Sequence, residues 1–306
     1  MTNLINRIVR FTRTLPSRIG NCEVGIRETS STIELLRAEI ASLKAEITSL
    51  GNENEALRKD LLKQTYLTAL SANSKTETTV SGEPFPSPSL TPIDEQFKRL
   101  EEIVPEAFTE WKKLLEVNLN AYEGFPLHSC SVAGHPSGEL FRQFVFPTLR
   151  GRVLDIGCGP QPVPLYLENY PIRLVSGIDP ISAPDDHPFE FVHGVAEFLP
   201  WPDDTFETVV VGTSLDHVLL LDRVYEEVRR VLAPGGNFII WTVFIKDSIP
   251  YDPYRSDISP VDEFHLFHFD REWFEKGIEE FFIIDDVYRV NVDIDHYFYR
   301  LQPKNK

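Results

Sequence analysis

Apolar positions recur along the chain with different periods, and each period predicts a different kind of element. Ile26, Ile33, Ile40, Ile47, Asn54 and Leu61 stand seven residues apart, and Leu36, Leu43, Leu50 and Leu57 each follow three residues after one of them. This is an a/d seam. Isoleucine at a with leucine at d selects a parallel two-stranded coil, and one Asn at a fixes register and strand number. Glu39 at g then faces Lys44 at e of a partner chain, and Glu53 faces Arg58. A single amphipathic helix packed on a globular domain usually shows a wider apolar face. The spacing therefore predicts a parallel coiled coil over residues 23–70, and with it a homodimer.

Residues 1–22 have a helical period of their own. Leu4, Ile5, Ile8, Val9, Thr12 and Leu15 share one face, Arg7, Arg10 and Arg13 take the other, and Pro16 ends the pattern. A short basic amphipathic helix at residues 3–15 suits three settings: a peripheral contact with an anionic membrane surface, a transit peptide, or a packed terminal helix. Between residues 71 and 92, 13 of 22 residues are Ser, Thr or Pro. Such a segment buries too little to order itself, so it reads as a disordered linker.

From Ile93 the pattern is globular. Helical periods at Ile93–Ile103 and Pro105–Leu119 precede a loop-like stretch, Tyr122–His135, and Leu140–Leu149 leads into the first of a series of short apolar runs. These runs are Val153–Ile156, Leu174–Asp179, Thr208–Val211 and Asn237–Val243, with Phe281–Val290 and His296–Leu301 as two closing strands and a surface helix beginning near Asp270. Continuous apolar runs of this length mark strands buried on both faces, as in parallel sheets. The first run ends in Asp155-Ile156-Gly157-Cys158-Gly159-Pro160, where glycines allow positive φ and a close approach to a ligand. The second ends in Asp179, 22 residues after Gly157, and a carboxylate there suits a ribose diol. A dinucleotide fingerprint would want a third glycine where Pro162 stands, so the turn suits a single nucleoside with a short polar tail.

Composition narrows the class. An apolar fraction of 42% with 11% aromatic residues fits a folded protein, and no apolar run approaches the roughly 20 residues of a bilayer span. Three cysteines, Cys22, Cys130 and Cys158, are too few for a disulfide framework and fit a reducing cytoplasmic setting. The net charge is −17 although residues 1–22 hold four arginines and no acid, so the remainder is more acidic still and repels phosphate backbones. Nucleic acid is not expected as a partner.

Further signals are Ala196-Glu197-Phe198-Leu199-Pro200-Trp201-Pro202-Asp203-Asp204-Thr205-Phe206-Glu207, and Val231-Leu232-Ala233-Pro234-Gly235-Gly236 before the fourth run. With these, the stretch from Arg152 to Val243 resembles the class I S-adenosylmethionine-dependent methyltransferases, in particular the small-molecule kind. The resemblance implies a doubly wound α/β fold over residues 93–306, with a mainly parallel seven-stranded Rossmann-like sheet and S-adenosyl-L-methionine as cofactor. It implies that Gly157 and Gly159 line the methionine half with Asp155 near its amino group. It puts Asp179 at the ribose, Ala196 and Glu197 beside the adenine, and Ser214 near the methyl group. Val195 departs from the pattern, because many relatives carry an acid there that meets the adenine amino group.

The chemistry falls to a few residues. In-line methyl transfer gains most of its rate from alignment, and a base matters when the acceptor is a hydroxyl. His217, in Thr213-Ser214-Leu215-Asp216-His217, is one candidate base, with Asp216 capping the next helix and His217 packed inside it as the structural alternative. His265 and His268, in the aromatic segment that also holds Tyr251, Asp252, Tyr254 and Arg255, are candidate acceptor-lining residues. Their His-x-x-His spacing lacks an acid or third histidine in a metal-binding pattern, so no metal is expected. The expected function is methyl transfer, chiefly O-methylation of a small molecule or a sugar or glycan unit, by a cytoplasmic dimer that touches the inner face of the membrane if residues 3–15 bind there. The alternative is a non-catalytic coiled-coil scaffold carrying a methyltransferase-like domain.

Overall fold

The computed structural model describes residues 37–46, 49, 86–124, 132, 135–181, 187–245, 251–291 and 294–304. The basic segment 1–22, most of the heptad seam and linker residues 71–85 lie outside the described residues. The chain divides into two compact units, Met1–Gln64 and Thr65–Lys306. In the first, residues 37–46 are α-helical, and Ile40, at an a position of the seam, is 42% exposed in the single chain.

The second unit is built on one seven-stranded sheet of order β3-β2-β1-β4-β5-β7-β6. Its strands are β1 (Val153–Ile156), β2 (Val175–Asp179), β3 (Glu190–His193), β4 (Phe206–Gly212), β5 (Leu232–Val243), β6 (Phe282–Asn291) and β7 (Asp295–Pro303). β1 pairs in parallel with β2 and β4, as do β2 with β3 and β4 with β5. β7 inserts antiparallel between β5 and β6, so the sheet is mixed rather than uniformly parallel. The reason is local: β6 and β7 are separated by a connection too short for a crossover, and a short connection returns the chain antiparallel.

Strand alternation sorts the core onto two faces. Leu154, Ile156, Ile178, Val209, Val211, Phe238 and Ile240 pack on one side with α1 (Ile93–Ile103), α2 (Pro105–Gly124), α4 (Leu221–Val231) and α5 (Arg271–Phe281). Val153, Val175, Val210, Ile239, Trp241 and Phe298 pack on the other with α3 (Pro136–Val145). Helix cover is therefore unequal. Where a doubly wound fold would place a helix between β1 and β2, the chain holds two 3-10 turns, Leu165–Leu167 and Ile172–Leu174. Pro160, Pro162, Pro164 and Pro171 remove the amide donors that a regular helix needs there.

The helices start where the chain supplies caps. Asp270 accepts from the Trp273 amide at 3.0 Å to open α5, and the His135 ring accepts from the Gly138 amide ahead of Pro136 at the start of α3. In α4, Leu221, Val224, Tyr225, Val228 and Val231 form one buried stripe at helical spacing. α2 continues to Gly124, five residues beyond the helical period read to Leu119; within it Leu115 packs on the core and Asn118 donates to the Phe264 carbonyl at 3.1 Å.

Candidate functional site

The carboxyl ends of β1, β2 and β4 open onto one cavity, at the place where open α/β sheets bind their ligands. Its lining joins Gly157, Gly159, Asp179, Ala196, Glu197, Ser214 and His217, so six of the seven residues expected to touch a cofactor meet at one place, together with one candidate base. Both glycines have positive φ, 69° at Gly157 and 68° at Gly159. A Cβ on Gly157 would lie 2.3 Å from the Ser214 hydroxyl oxygen, which itself donates to the Ile156 carbonyl. Asp179 accepts from the Gly159 amide with one oxygen and from the Ile181 amide with the other, each at 2.8 Å. The turn after β1 is thereby clamped to the end of β2.

Asp155 stands behind the cavity wall rather than on it. The residue is wholly buried, and the Tyr166 hydroxyl, which does line the cavity, donates to its carboxylate at 3.0 and 3.1 Å. Burial raises its pKa well above the usual carboxylate range, with the Tyr166 bond working the other way. Glu197, on the lining, has its carboxylate engaged by the backbone. Its Oε1 accepts from the amides of Leu219 and Leu220 at 2.8 and 3.2 Å, just before α4 begins. Burial raises the Glu197 pKa, and those amides only partly offset the effect.

The wall at Val195 is completed by Gln96, a residue that strand-and-turn reasoning missed. Its side-chain oxygen accepts from the Val195 amide at 3.0 Å while its nitrogen donates to the Thr91 carbonyl at 2.8 Å. Trp111, a second missed residue, donates from α2 to the His217 carbonyl at 2.5 Å. A polar residue among the apolar positions of α1 was the available signal for Gln96. Nothing local marked Trp111.

His217 neither follows a capping Asp216 nor sits inside a helix. Residues Leu215–His217 form a 3-10 turn, α4 starts only at Leu221, and Glu197 takes the amides that Asp216 was expected to take. Burial lowers the His217 pKa, against the pull of Asp216. Thr213 beside it holds φ at 58°, a strained value for a β-branched residue, which marks the end of β4 as a place where the fold stores strain.

A second cavity adjoins the first, and Asn118, Tyr122, Thr213 and His217 line both. Its lining brings together His135, His217, His265, His268 and His296 with Asp216 and Asp262. The expectation that the His-x-x-His pair lacks an acid and a third histidine fails here. Asp262 accepts from His265 Nδ1 at 2.9 Å and from His268 Nε2 at 2.8 Å, and the His217 ring stacks on His265 with centroids 4.6 Å apart. Burial works against the Asp262 anion, yet the Phe264 amide, the His265 ring and the His265 amide outweigh it and hold its pKa at about 2. Asp216–His217–His265 and Asp262–His265–His268 each present ligand atoms close enough to share one ion. On the far wall Trp241 donates to His296 Nδ1 at 3.1 Å, which makes that nitrogen the acceptor.

The strand order and the cavity over the ends of β1, β2 and β4 define a Rossmann-like methyltransferase fold. Residues 154–240 match the family model described as a methyltransferase domain, and this part of the chain is a class I S-adenosylmethionine-dependent methyltransferase domain. S-adenosylmethionine is the cofactor of such a domain. A demethylmenaquinone methyltransferase of Listeria monocytogenes is 34% identical over 97 residues, which cover 28% of this chain and 41% of that protein. A ubiquinone/menaquinone biosynthesis C-methyltransferase of Hahella chejuensis is 36% identical over 77 residues, 24% of this chain and 30% of that protein. Among solved structures, a 1,6-didemethyltoxoflavin-N1-methyltransferase of Burkholderia thailandensis with bound S-adenosylhomocysteine is 14% identical, covers 74% of this chain and 98% of that one, and has a TM-score of 0.48. The chain thus spans about two fifths or less of the curated relatives named here. Among the described residues, no helix is long and apolar enough to cross a membrane.

Proposed function

We propose that the protein transfers a methyl group from S-adenosylmethionine to an oxygen of a small polar acceptor. The observation that carries this reading is the pair of adjoining cavities, one walled by strand ends and glycines and the other by histidines and aspartates, with His217 on both. When bound, S-adenosylmethionine supplies an electrophilic methyl group on a sulfonium. Gly157 and Gly159 leave room for its methionine end, near the Tyr166 hydroxyl that Asp155 holds, and the Asp179 carboxylate, on the cavity lining, is the acceptor for a ribose diol. Ala196 and Val195 form an apolar wall on the adenine side, since the Glu197 carboxylate and the Val195 backbone groups are already engaged. His217, Asn118 and Tyr122 then align an acceptor with the methyl group, the arrangement from which in-line transfer gains most of its rate.

Methylation at a ring carbon is the second reading, favoured by the names of the curated relatives, which act on quinone precursors. Their match to this chain is partial, and the family match ends at residue 240, before the 251–270 segment that contributes Asp262, His265 and His268. The histidines and aspartates of the second cavity offer polar partners to a hydroxyl-bearing acceptor, beside an apolar lining that includes Val243, Ile245 and Phe264. The heptad seam serves as a parallel dimeriser that raises the local concentration of two domains.

Calorimetry with S-adenosylmethionine, S-adenosylhomocysteine and NAD tests the cofactor. Mass spectrometry of sugar units, phenols and quinols incubated with the enzyme tests the acceptor, and NMR of any product tells O-methyl from C-methyl. Heat from NAD with none from either sulfur compound would sink the transferase reading, and heat from none of the three would leave the scaffold alternative.

A further inference from the structure

We propose that Asp216, His217 and His265 form a binding site for one divalent transition-metal ion on the wall between the two cavities. The site's existence stands apart from the transferase reading, whereas its use, holding an acceptor hydroxyl beside the methyl donor, rests on that reading.

The argument begins with His265. Its Nδ1 lies 2.9 Å from both oxygens of Asp262, and an ionised carboxylate only accepts, so this nitrogen carries the proton and Nε2 presents its lone pair. That Nε2 is 3.7 Å from Asp216 Oδ2, and His217 Nε2 is 4.0 Å from Asp216 Oδ1. Both separations are too long for hydrogen bonds. Two ligands each about 2.1 Å from a shared ion lie about 3.0–3.4 Å apart in octahedral or tetrahedral geometry, so these two pairs need to close by roughly 0.3–1 Å, and one ligand atom from each of the three residues already lies within 4.8 Å of the others.

Asp216 Oδ1 strengthens the case. It is a buried carboxylate oxygen without a hydrogen-bond partner, a costly condition that a bound cation relieves. The stacked rings of His217 and His265 flank that same carboxylate. The second possible triad is already closed by direct hydrogen bonds, since Asp262 also holds His268 Nε2 at 2.8 Å. Asp262 therefore acts as the outer carboxylate that orients a ligating histidine, and His268 steadies Asp262. Two imidazoles and one carboxylate facing a cavity make the open, three-ligand pattern of catalytic sites, and this donor set suits zinc, cobalt or manganese rather than calcium.

His217 lines both cavities, so an ion there sits at the junction an acceptor must cross. It would lower the pKa of an acceptor hydroxyl turned toward it, and the proton would leave to solvent. The acceptor oxygen then forms its bond to the methyl carbon as the carbon–sulfur bond breaks, and the sulfur keeps that electron pair as a thioether.

The test uses the full chain, free of any tag and stripped with chelator, titrated with zinc, manganese and cobalt chlorides. One ion per chain is expected, with cobalt giving the visible bands of nitrogen–oxygen coordination. Asp216→Asn and His265→Gln should each weaken binding by at least about 100-fold, and Asp262→Asn by about 10–100-fold. His268→Gln should cost less than Asp262→Asn. Melting curves and S-adenosylhomocysteine titrations run alongside to report folding. Wild-type protein that takes no ion at millimolar metal, or that shows no cobalt bands, overturns the proposal, as does full binding by folded Asp216→Asn and His265→Gln. Should those variants not fold, the wild-type stoichiometry and cobalt spectrum decide. Ion binding without S-adenosylhomocysteine binding would keep the site and discard the transferase reading, and the reverse pattern would discard the site alone.

Discussion

The two cavities differ in how the chain builds them. The first is made from strand ends and turns close together in sequence: Gly157 and Gly159 after β1, Asp179 at the end of β2, Ser214 just beyond β4. The second gathers Asn118 from α2, His135 ahead of α3, His217, the segment holding Asp262, His265 and His268, and His296 in β7. The first depends on backbone shape, which tolerates little change, whereas the second depends on side chains held from several directions. A substitution should therefore be most damaging where the backbone itself is the ligand surface.

The sharpest form of that contrast compares two glycines with positive φ. Gly157 has φ 69° and no room, because a Cβ meets the Ser214 hydroxyl at 2.3 Å, whereas Gly235 has φ 72° and nothing within 4 Å. Gly157→Val should lower S-adenosylhomocysteine affinity by more than about 100-fold, or about 3 kcal/mol. Gly235→Ala should cost about 1–2 kcal/mol of stability, from the left-handed conformation alone, with unchanged affinity. Calorimetry on both variants checks the pair, and equal affinity losses would deny that the turn after β1 is the ligand surface.

Asp179→Ala comes next. Losing a charge-assisted acceptor should weaken S-adenosylhomocysteine binding by about 1.5–3 kcal/mol. Asp179 also clamps the Gly159 and Ile181 amides, so Asp179→Asn, which keeps one acceptor oxygen, should recover part of the loss. An alanine variant that binds as tightly as wild type would remove Asp179 from the ribose role.

Glu197 separates structure from ligand contact within the first cavity. Its carboxylate serves the Leu219 and Leu220 amides, and Glu197→Ala leaves those buried donors unpaired. The expected loss of stability is about 1–3 kcal/mol, read by denaturant unfolding, with affinity within about threefold of wild type. A large affinity loss in a stable variant would return Glu197 to the adenine.

Sequence reading reached the first cavity because its signals are local. An apolar run, two glycines and an acid at the next strand end declare a parallel strand, a tight turn and a ribose partner without knowledge of the rest of the fold. Glu197 and Asp155 were found, but which way each carboxylate turns depends on Leu219, Leu220 and Tyr166, brought near by folding. The second cavity was only partly legible. His217, His265 and His268 were found as residues, but the partner that organises two of them, Asp262, lies three residues before His265 on an irregular segment where no period flags it. Likewise, β7 enters the sheet antiparallel through pairings with β5 and β6 that no strand pattern announces.

The smallest expected effect concerns Asp155, the residue on which the two readings of the cavity wall differ most. Its folded pKa is raised by burial, with Tyr166 as the opposing hydrogen bond. For an acid raised above its unfolded value, the associated stability is present below the unfolded pKa and is lost as pH rises through the folded one. The ligand-free wild type should therefore lose stability, relative to Asp155→Asn, as pH climbs from the ordinary carboxylate range, about 4, toward that raised value. Asn keeps an oxygen for the Tyr166 hydroxyl and carries no buried charge. The variant should melt a few degrees higher near neutrality, each kcal/mol being worth about 2–4 °C in a unit of this size, and the gap should close toward pH 4. Adding S-adenosylhomocysteine then discriminates. If the ammonium of the ligand reaches the carboxylate past Tyr166, the ligand should stabilise wild type more than Asp155→Asn; if Asp155 acts only by holding Tyr166, the two shifts should match. Melting curves that coincide from pH 4 to 8 without ligand would show that Asp155 carries no buried charge across that range.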